Sequence, residues 1–100
     1  MQDTYQFLED MRKADSQNYR ANLKGLLLAA VIEVWKKYPD LRLGQLLANS
    51  VPVNFYYRTD EELLHRICKT YQLDAAALAK SLHIELEEEK ESKEAKGIIQ

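Results

Sequence analysis

The sequence predicts an all-α fold, a compact bundle of four to five helices around one central apolar helix. Apolar residues recur at spacings of three and four through most of the chain, which is the period of an amphipathic helix. The two prolines, Pro39 and Pro52, fall between the helical segments. At 100 residues, the chain has the length of one small domain.

The first helix is predicted over about residues 4–17, because apolar residues from Phe7 to Ala14 repeat with helical spacing. Asp3 or Thr4 can serve as its N-cap. No proline or glycine follows directly, so the segment from Asp15 to Arg20 is either a turn or the middle of one long helix.

The central helix is predicted from Leu23 to Lys37, with Asn22 as its N-cap. Its middle, from Leu26 to Ile32, is apolar on every side. Helices with this pattern are buried in the core of a protein. We therefore expect the other helices to pack around this one.

A turn is predicted at residues 38–40, because Pro39 cannot continue a helix. Asp40 is then in place to cap a short helix from Leu41 to Asn49. One side of this helix carries three leucines, namely Leu43, Leu46 and Leu47.

The segment 51–57 alternates apolar residues around Pro52, which indicates an extended connection or a lone strand. Thr59 and Glu62 then form the pattern of a capping box, so a helix begins here. The buried face of that helix is predicted to consist of Leu63, Leu64, Ile67, Cys68 and Tyr71.

The last helix begins after Asp74 and runs to Leu86, although the alternation of Leu82, Ile84 and Leu86 leaves a short strand as an alternative. We therefore expect one helical domain over residues 1–86. Residues 87–100 are predicted to form a charged C-terminal tail that frays.

Several classes of chemistry are excluded by the composition. Cys68 is the only cysteine and lies on an apolar helix face, where a thiol packs as a small hydrophobe. His65 and His83 are too few to complete a metal site. No glycine-rich phosphate loop is present. We expect no enzyme, no metal and no cofactor.

The net charge of −2 hides an uneven distribution along the chain. Residues 1–10 carry a net charge of −3, residues 11–58 carry +5 and residues 59–100 carry −4. The basic middle is a candidate surface for an anionic partner, and the acidic C-terminal part can screen it. Duplex DNA is not expected as a partner, because the acidic residues after the last helix would repel phosphates.

One set of polar and aromatic residues in and beside the basic middle is the candidate binding surface. Three of its members fall at positions i, i+3 and i+7 of the short helix, and three follow the proline. A guanidinium, amides and aromatic rings are typical of protein or nucleotide recognition. The competing interpretation is that these side chains pair and cap within the fold. The residues are Arg42, Gln45, Asn49, Tyr56, Tyr57 and Arg58.

The stretch WKKYPDLRLGQLLANS, followed by FYYRTDEELL, resembles a group of short bacterial and phage-encoded proteins of unknown function. The shared signature is W-x-x-Y-P-D-L-R-x-G-Q-L-L-x-N. The resemblance covers about 30 residues, from Trp35 to Leu64 with a short gap. It implies a small helical protein in the cytoplasm of a bacterial or phage-infected cell, and it implies no activity.

The sequence therefore predicts a small protein-interaction or regulatory module, such as a phage or mobile-element accessory protein that binds a host factor. Homo-oligomerisation is a plausible supplement for a core of this size. The alternative is a protein that binds and sequesters a nucleotide or another small anion. No segment has the roughly 20 apolar residues of a membrane span.

Overall fold

The structure, a computed structural model, describes residues 3–51, 54 and 57–82. This part of the chain forms five α-helices and no strand, which confirms the all-α prediction. None of these helices is long and apolar enough to cross a membrane. The helices are α1 (Thr4–Ala14), α2 (Tyr19–Lys37), α3 (Leu43–Ser50), α4 (Asp60–Tyr71) and α5 (Ala75–Ser81).

A turn separates α1 from α2, so the two are not one long helix. The Asp15 carboxylate accepts hydrogen bonds from the backbone N–H and the side-chain amide of Asn18, at 3.3 Å and 2.9 Å. This local bonding competes with the helix. The first helix therefore ends at Ala14 rather than at residue 17, and α2 begins at Tyr19 rather than after Asn22.

The core forms where α2 and α4 pack together. α1 contacts both of these helices, α5 contacts α1 and α2, and α3 packs mainly against α4. Side chains from three helices are fully buried where they meet, namely Leu26, Leu46, Leu64 and Ile67. The predicted central helix thus shares the middle of the bundle with α4.

The prediction that α2 is buried on every side is wrong. Leu28 is 67% exposed and Ile32 is 53% exposed, whereas Leu26 is fully buried. At 100° per residue, Leu28 and Ile32 lie opposite the side that packs on α4. α5 also packs on α2, and its C-cap Leu82 lies beside Gly25, but no described helix covers Leu28 and Ile32. We call Gly25, Leu28 and Ile32 the outer face of α2.

The short helix α3 begins two residues later than predicted. The backbone N–H of Leu41 donates to the carbonyl of Tyr38 at 3.0 Å, which closes a turn and prevents a helix from starting there. Arg42 is the N-cap in place of Asp40, and the Gln45 side chain accepts from the Arg42 backbone N–H at 3.1 Å. Leu43 is exposed rather than part of the buried side.

The predicted extended connection over residues 51–57 is interrupted. Val51 is extended and buried, but Asn54 has a φ of 56°, in the left-handed region that asparagine tolerates. The N–H of Tyr57 donates to the carbonyl of Asn54 at 3.0 Å, so these residues form a turn. Residues 52, 53, 55 and 56, Tyr56 among them, lie outside the described residues.

The caps predicted for the last two helices are confirmed. The Thr59 hydroxyl accepts from the Glu62 N–H at 3.1 Å, and the Asp74 carboxylate accepts from the Ala76 N–H at 3.3 Å. α4 ends at its C-cap Gln72, whose backbone adopts the left-handed conformation with a φ of 57°. The predicted continuation to Leu86, its strand alternative and the charged tail fall outside the residues that the structure describes.

Two leucines of α3 provide a test of the packing. Leu46 is fully buried, so Leu46→Ala is expected to lower the free energy of unfolding by about 2–5 kcal/mol. Leu43 is 47% exposed, so Leu43→Ala is expected to cost about 1 kcal/mol or less. Urea unfolding of both variants gives the comparison. Equal losses would mean that α3 does not pack on α4 through Leu46.

Candidate functional site

The predicted binding residues that the structure describes fall into two groups at opposite ends of α4. The Asn49 side-chain amide donates to the hydroxyl of Tyr71, the last residue of α4, at 3.3 Å. Arg58 precedes the first residue of the same helix. Twelve helical residues span about 18 Å, so these side chains do not form one continuous patch.

In the group on α3, two of the three side chains are engaged within the fold. The amide oxygen of Gln45 binds the Arg42 backbone and helps to start α3. Asn49 links α3 to the end of α4 through Tyr71. The Arg42 side chain is exposed, so it is the member of this group that is available to a partner.

Aromatic side chains that were not among the predicted binding residues surround this group. The indole N–H of Trp35 donates to the carbonyl of Leu41, which fixes the ring beside the turn that leads to α3. The ring centroid of Tyr38 lies 6.1 Å from that of Tyr71, with the planes tilted by 52°. Tyr38 and Trp35 are exposed. Both were missed from the sequence, although two aromatic residues three positions apart directly before Pro39 are a signal that could have identified them.

These contacts connect the end of α2, the start of α3 and the end of α4 into one surface. Its exposed members are two aromatic rings, one guanidinium, one leucine and the amide of Asn49, and the half-buried Tyr71 joins them to the end of α4. We call it the aromatic surface, and it consists of Trp35, Tyr38, Arg42, Leu43, Asn49 and Tyr71.

The aromatic surface has a basic border. Lys36 and Lys37 lie in the last turn of α2, where positive charge complements the helix dipole. The Lys36 ammonium pairs with Glu33 at 3.4 Å, but both side chains are well exposed, so this ion pair is weak. With Arg42 at the start of α3, this border carries three cations, whereas the turn between α2 and α3 carries one acid, Asp40.

The second group, Tyr57 and Arg58, lies at the start of α4. The side chain of Tyr57 is 81% exposed. One guanidinium nitrogen of Arg58 lies 3.0 Å from a Glu62 carboxylate oxygen, and Nε of Arg66 lies 3.5 Å from the same oxygen. Arg58 is therefore already paired with Glu62, an acid in the first turn of α4, and Arg66 contacts the same carboxylate.

Arg58 also lines a cleft of about 780 Å³ between the start of α4 and the α1–α2 turn. Arg12 and Arg20 contribute two further guanidinium groups, and Tyr19 forms part of the wall. The Arg12 guanidinium lies 5.4 Å from the Tyr19 ring centroid. We call this the arginine cleft. It is lined by Arg12, Tyr19, Arg20 and Arg58, with Asp60 and Glu61 on its acidic side.

Carboxylates already neutralise part of the arginine cleft. Arg12 pairs with Glu9 at 2.7 Å, and the Tyr19 hydroxyl donates to Glu61 at 2.9 Å. Burial, with this hydrogen bond to Glu61 as the second cause, raises the pKa of Tyr19 to about 12. Arg20 forms no ion pair with any residue that the structure describes.

The side chains considered for catalysis or metal binding are packed into the fold. Cys68 is 1% exposed, and burial raises the pKa of its thiol to about 11. A reactive thiol needs the opposite shift. The His65 ring stacks on Tyr5 with centroids 4.5 Å apart. No group of three or more candidate metal ligands occurs in the described part of the chain.

No protein-family model matches this chain, and searches of curated proteins and of solved structures found no significant match.

The hydroxyl of Tyr19 provides a test of the contacts in the arginine cleft. Because its pKa is about 12 in the folded protein against 10.0 ordinarily, its stabilising contribution is complete below about pH 10 and is lost as the pH approaches 12. We expect Tyr19→Phe to lower the free energy of unfolding at pH 8 by about 1 kcal/mol. The difference from the wild type should then shrink between pH 10 and pH 12.

The measurement is urea unfolding at a series of alkaline pH values. Tyr38→Phe is the matched control, because it removes a hydroxyl from an exposed tyrosine at the other end of α2. If the difference in free energy of unfolding between Tyr19→Phe and the wild type stayed constant up to pH 12, the contact with Glu61 would be contradicted.

Proposed function

We propose that this chain is a small, non-enzymatic protein-interaction and regulatory module that binds a partner protein through its aromatic surface. The resemblance of the segment from Trp35 to Leu64 to short bacterial and phage proteins supports a proposed action in the cytoplasm of a bacterial or phage-infected cell. A host factor is the proposed partner.

The observation that supports this proposal is the exposure of Trp35, Tyr38 and Arg42 on rigid elements at one place. Tryptophan, tyrosine and arginine are the residues enriched among those that dominate the energy of protein interfaces. Hydrogen bonds to Leu41 and between Asn49 and Tyr71 hold the surface in place before binding. Preorganised side chains lose less conformational entropy when a partner binds.

The basic border determines the chemistry of the partner. Lys36, Lys37 and Arg42 favour a segment that carries aspartate or glutamate next to apolar side chains. The apolar side chains of that segment would contact Trp35 and Leu43. The charge of Arg42 would pair with a partner carboxylate in a bidentate arrangement.

The experiment compares two double variants of the same composition at opposite ends of α4. Tyr38→Ala with Arg42→Glu alters the aromatic surface, and Tyr57→Ala with Arg58→Glu alters the other group of predicted binding residues. Each tagged chain captures proteins from the cells that produce it naturally. Every captured protein is identified, purified and titrated against the wild type and both variants by calorimetry.

We expect the purified partner to bind the Tyr38→Ala/Arg42→Glu variant at least about 30-fold more weakly than the wild type, which corresponds to about 2 kcal/mol. Binding to the Tyr57→Ala/Arg58→Glu variant should be close to wild type. Circular dichroism checks that both variants fold. A partner lost only with the Tyr57→Ala/Arg58→Glu variant would move the interface to the other end of α4.

A second candidate function is the binding of a nucleotide or another small anion in the arginine cleft. Three guanidinium groups from α1, α2 and the start of α4 line this cleft, and such groups bind phosphates in a bidentate manner. Arg20 supports this candidate most, because no carboxylate of the described residues pairs with it. The pairing of Arg12 and Arg58 with glutamates counts against it.

Thermal unfolding in the presence of a panel of nucleotides tests this candidate. A nucleotide at 100-fold its dissociation constant is expected to stabilise the folded chain by about 2.7 kcal/mol. The gain should disappear with Arg20→Glu and persist with Lys13→Glu, which changes an exposed cation of α1 outside the cleft. No stabilisation by any nucleotide in the panel would exclude nucleotides as ligands.

A further inference from the structure

We propose that the partner protein binds through an amphipathic α-helix with acidic flanks, which packs along the exposed side of α2 from Gly25 to Trp35 and reaches the aromatic surface. This inference rests on the proposed function and deepens it, because it names the kind of partner segment. The outer face of α2 and the aromatic surface then act as one binding surface.

The outer face of α2 continues into the aromatic surface without a break. Leu28, Ile32 and Trp35 lie at positions i, i+4 and i+7 of α2. Leu28 and Ile32 each expose more than half of their surfaces, and Trp35 exposes more than a third. At 100° per residue, the three side chains fall within an arc of about 60°. Contiguous exposed apolar side chains of this kind mark interaction sites.

A leucine from α5 extends this row toward the start of α2. Gly25 lies one helical turn before Leu28 on the same side of the helix. A Cβ atom built on Gly25 would lie 3.6 Å from Cδ1 of Leu82, so this leucine lies beside the position where Gly25 has no side chain. Leu82 is itself exposed. We call Leu82, Leu28, Ile32 and Trp35 the apolar row.

The spacing along α2 indicates that the occupant is a helix. Gly25, Leu28, Ile32 and Trp35 follow one another at intervals of three, four and three residues, which is the spacing of a coiled-coil seam. A helix with the same apolar repeat can pack against such a row over its whole length. An extended peptide would instead add to the edge of a sheet, and the part of the chain that the structure describes contains no strand.

Charge determines the flanks of that helix. Lys24 and Lys36 lie on either side of the apolar row, and both side chains are largely exposed. Their contacts with Asp60, at 3.8 Å, and Glu33, at 3.4 Å, are exposed ion pairs and therefore weak. Arg42 adds a cation on the aromatic surface. Acidic flanks would complement these charges, whereas a second copy of the chain would bring two more lysines to the same flanks.

Two synthetic peptides of about 21 residues, or three heptads, test the inference. Both carry the same leucine seam, and the flanking positions are glutamate in one peptide and lysine in the other. The like charges keep each peptide from pairing with itself. Calorimetry measures the affinity of each peptide for the chain, and circular dichroism of the mixture reports whether the bound peptide is helical. We expect the glutamate peptide to bind at least about tenfold more tightly than the lysine peptide.

Three double variants locate the binding. Leu28→Gln with Ile32→Gln should abolish it, because glutamine keeps the helix propensity and removes the apolar row. Lys24→Glu with Lys36→Glu should reverse the preference between the two peptides. The matched control reverses two exposed lysines of α1 and α4 and should bind like the wild type; it is Lys13→Glu with Lys69→Glu.

Several outcomes would overturn the inference. Equal affinity for the two peptides would remove the role of the lysines. Binding of neither peptide would show that the face takes no helix or that the chain itself covers it. We expect the chain alone to sediment as a monomer. A dimer that dissociates with Leu28→Gln/Ile32→Gln would show that a second copy occupies the face.

The purified partner protein separates a failure of this inference from a failure of the proposed function. We expect Leu28→Gln/Ile32→Gln and Tyr38→Ala/Arg42→Glu each to weaken its binding. If only Tyr38→Ala/Arg42→Glu does so, the partner uses the aromatic surface and the helix along α2 is wrong. If neither variant weakens binding, both the inference and the proposed interface are wrong.

Discussion

The packing of α2 against α4 is the contact on which the rest of the structure depends. α1 contacts both helices, α5 is supported by α1 and α2, and α3 is supported by α4. Leu26 from α2 and Leu64 and Ile67 from α4 are buried at the centre of this arrangement. Loss of this contact would leave no helix with a continuous apolar surface to pack on.

The same contact explains why the two candidate sites lie far apart. The start of α2 lies beside the start of α4, and the end of α2 lies beside the end of α4. The Tyr19 hydroxyl reaches Glu61 at one end, and the Tyr38 ring approaches the Tyr71 ring at the other. The arginine cleft, with its carboxylates, lies where the two helices start, and the aromatic surface, with its basic border, lies where they end. The pair of helices thus acts as a spacer between two surfaces of different chemistry.

Local features of the fold could be predicted from the sequence, whereas features set by distant residues could not. The caps Thr59 and Asp74 were predicted because each bonds a residue no more than three positions away. The exposure of Leu28 was missed because apolar periodicity shows which residues share a face and does not show which neighbours cover it. The aromatic surface depends on Tyr71, which meets Tyr38 and Asn49 from 33 and 22 positions away.

Trp35 is the only tryptophan of the chain, and it lies on the aromatic surface with its indole N–H bound to the Leu41 carbonyl. Its intrinsic fluorescence therefore reports on one place in the molecule. A ligand that covers the ring should shift the emission to shorter wavelength, because the partly exposed indole leaves water. A ligand in the arginine cleft, at the opposite end of α2, should leave the emission unchanged. The emission wavelength of an unlabelled sample can thus distinguish binding at the aromatic surface from binding in the arginine cleft.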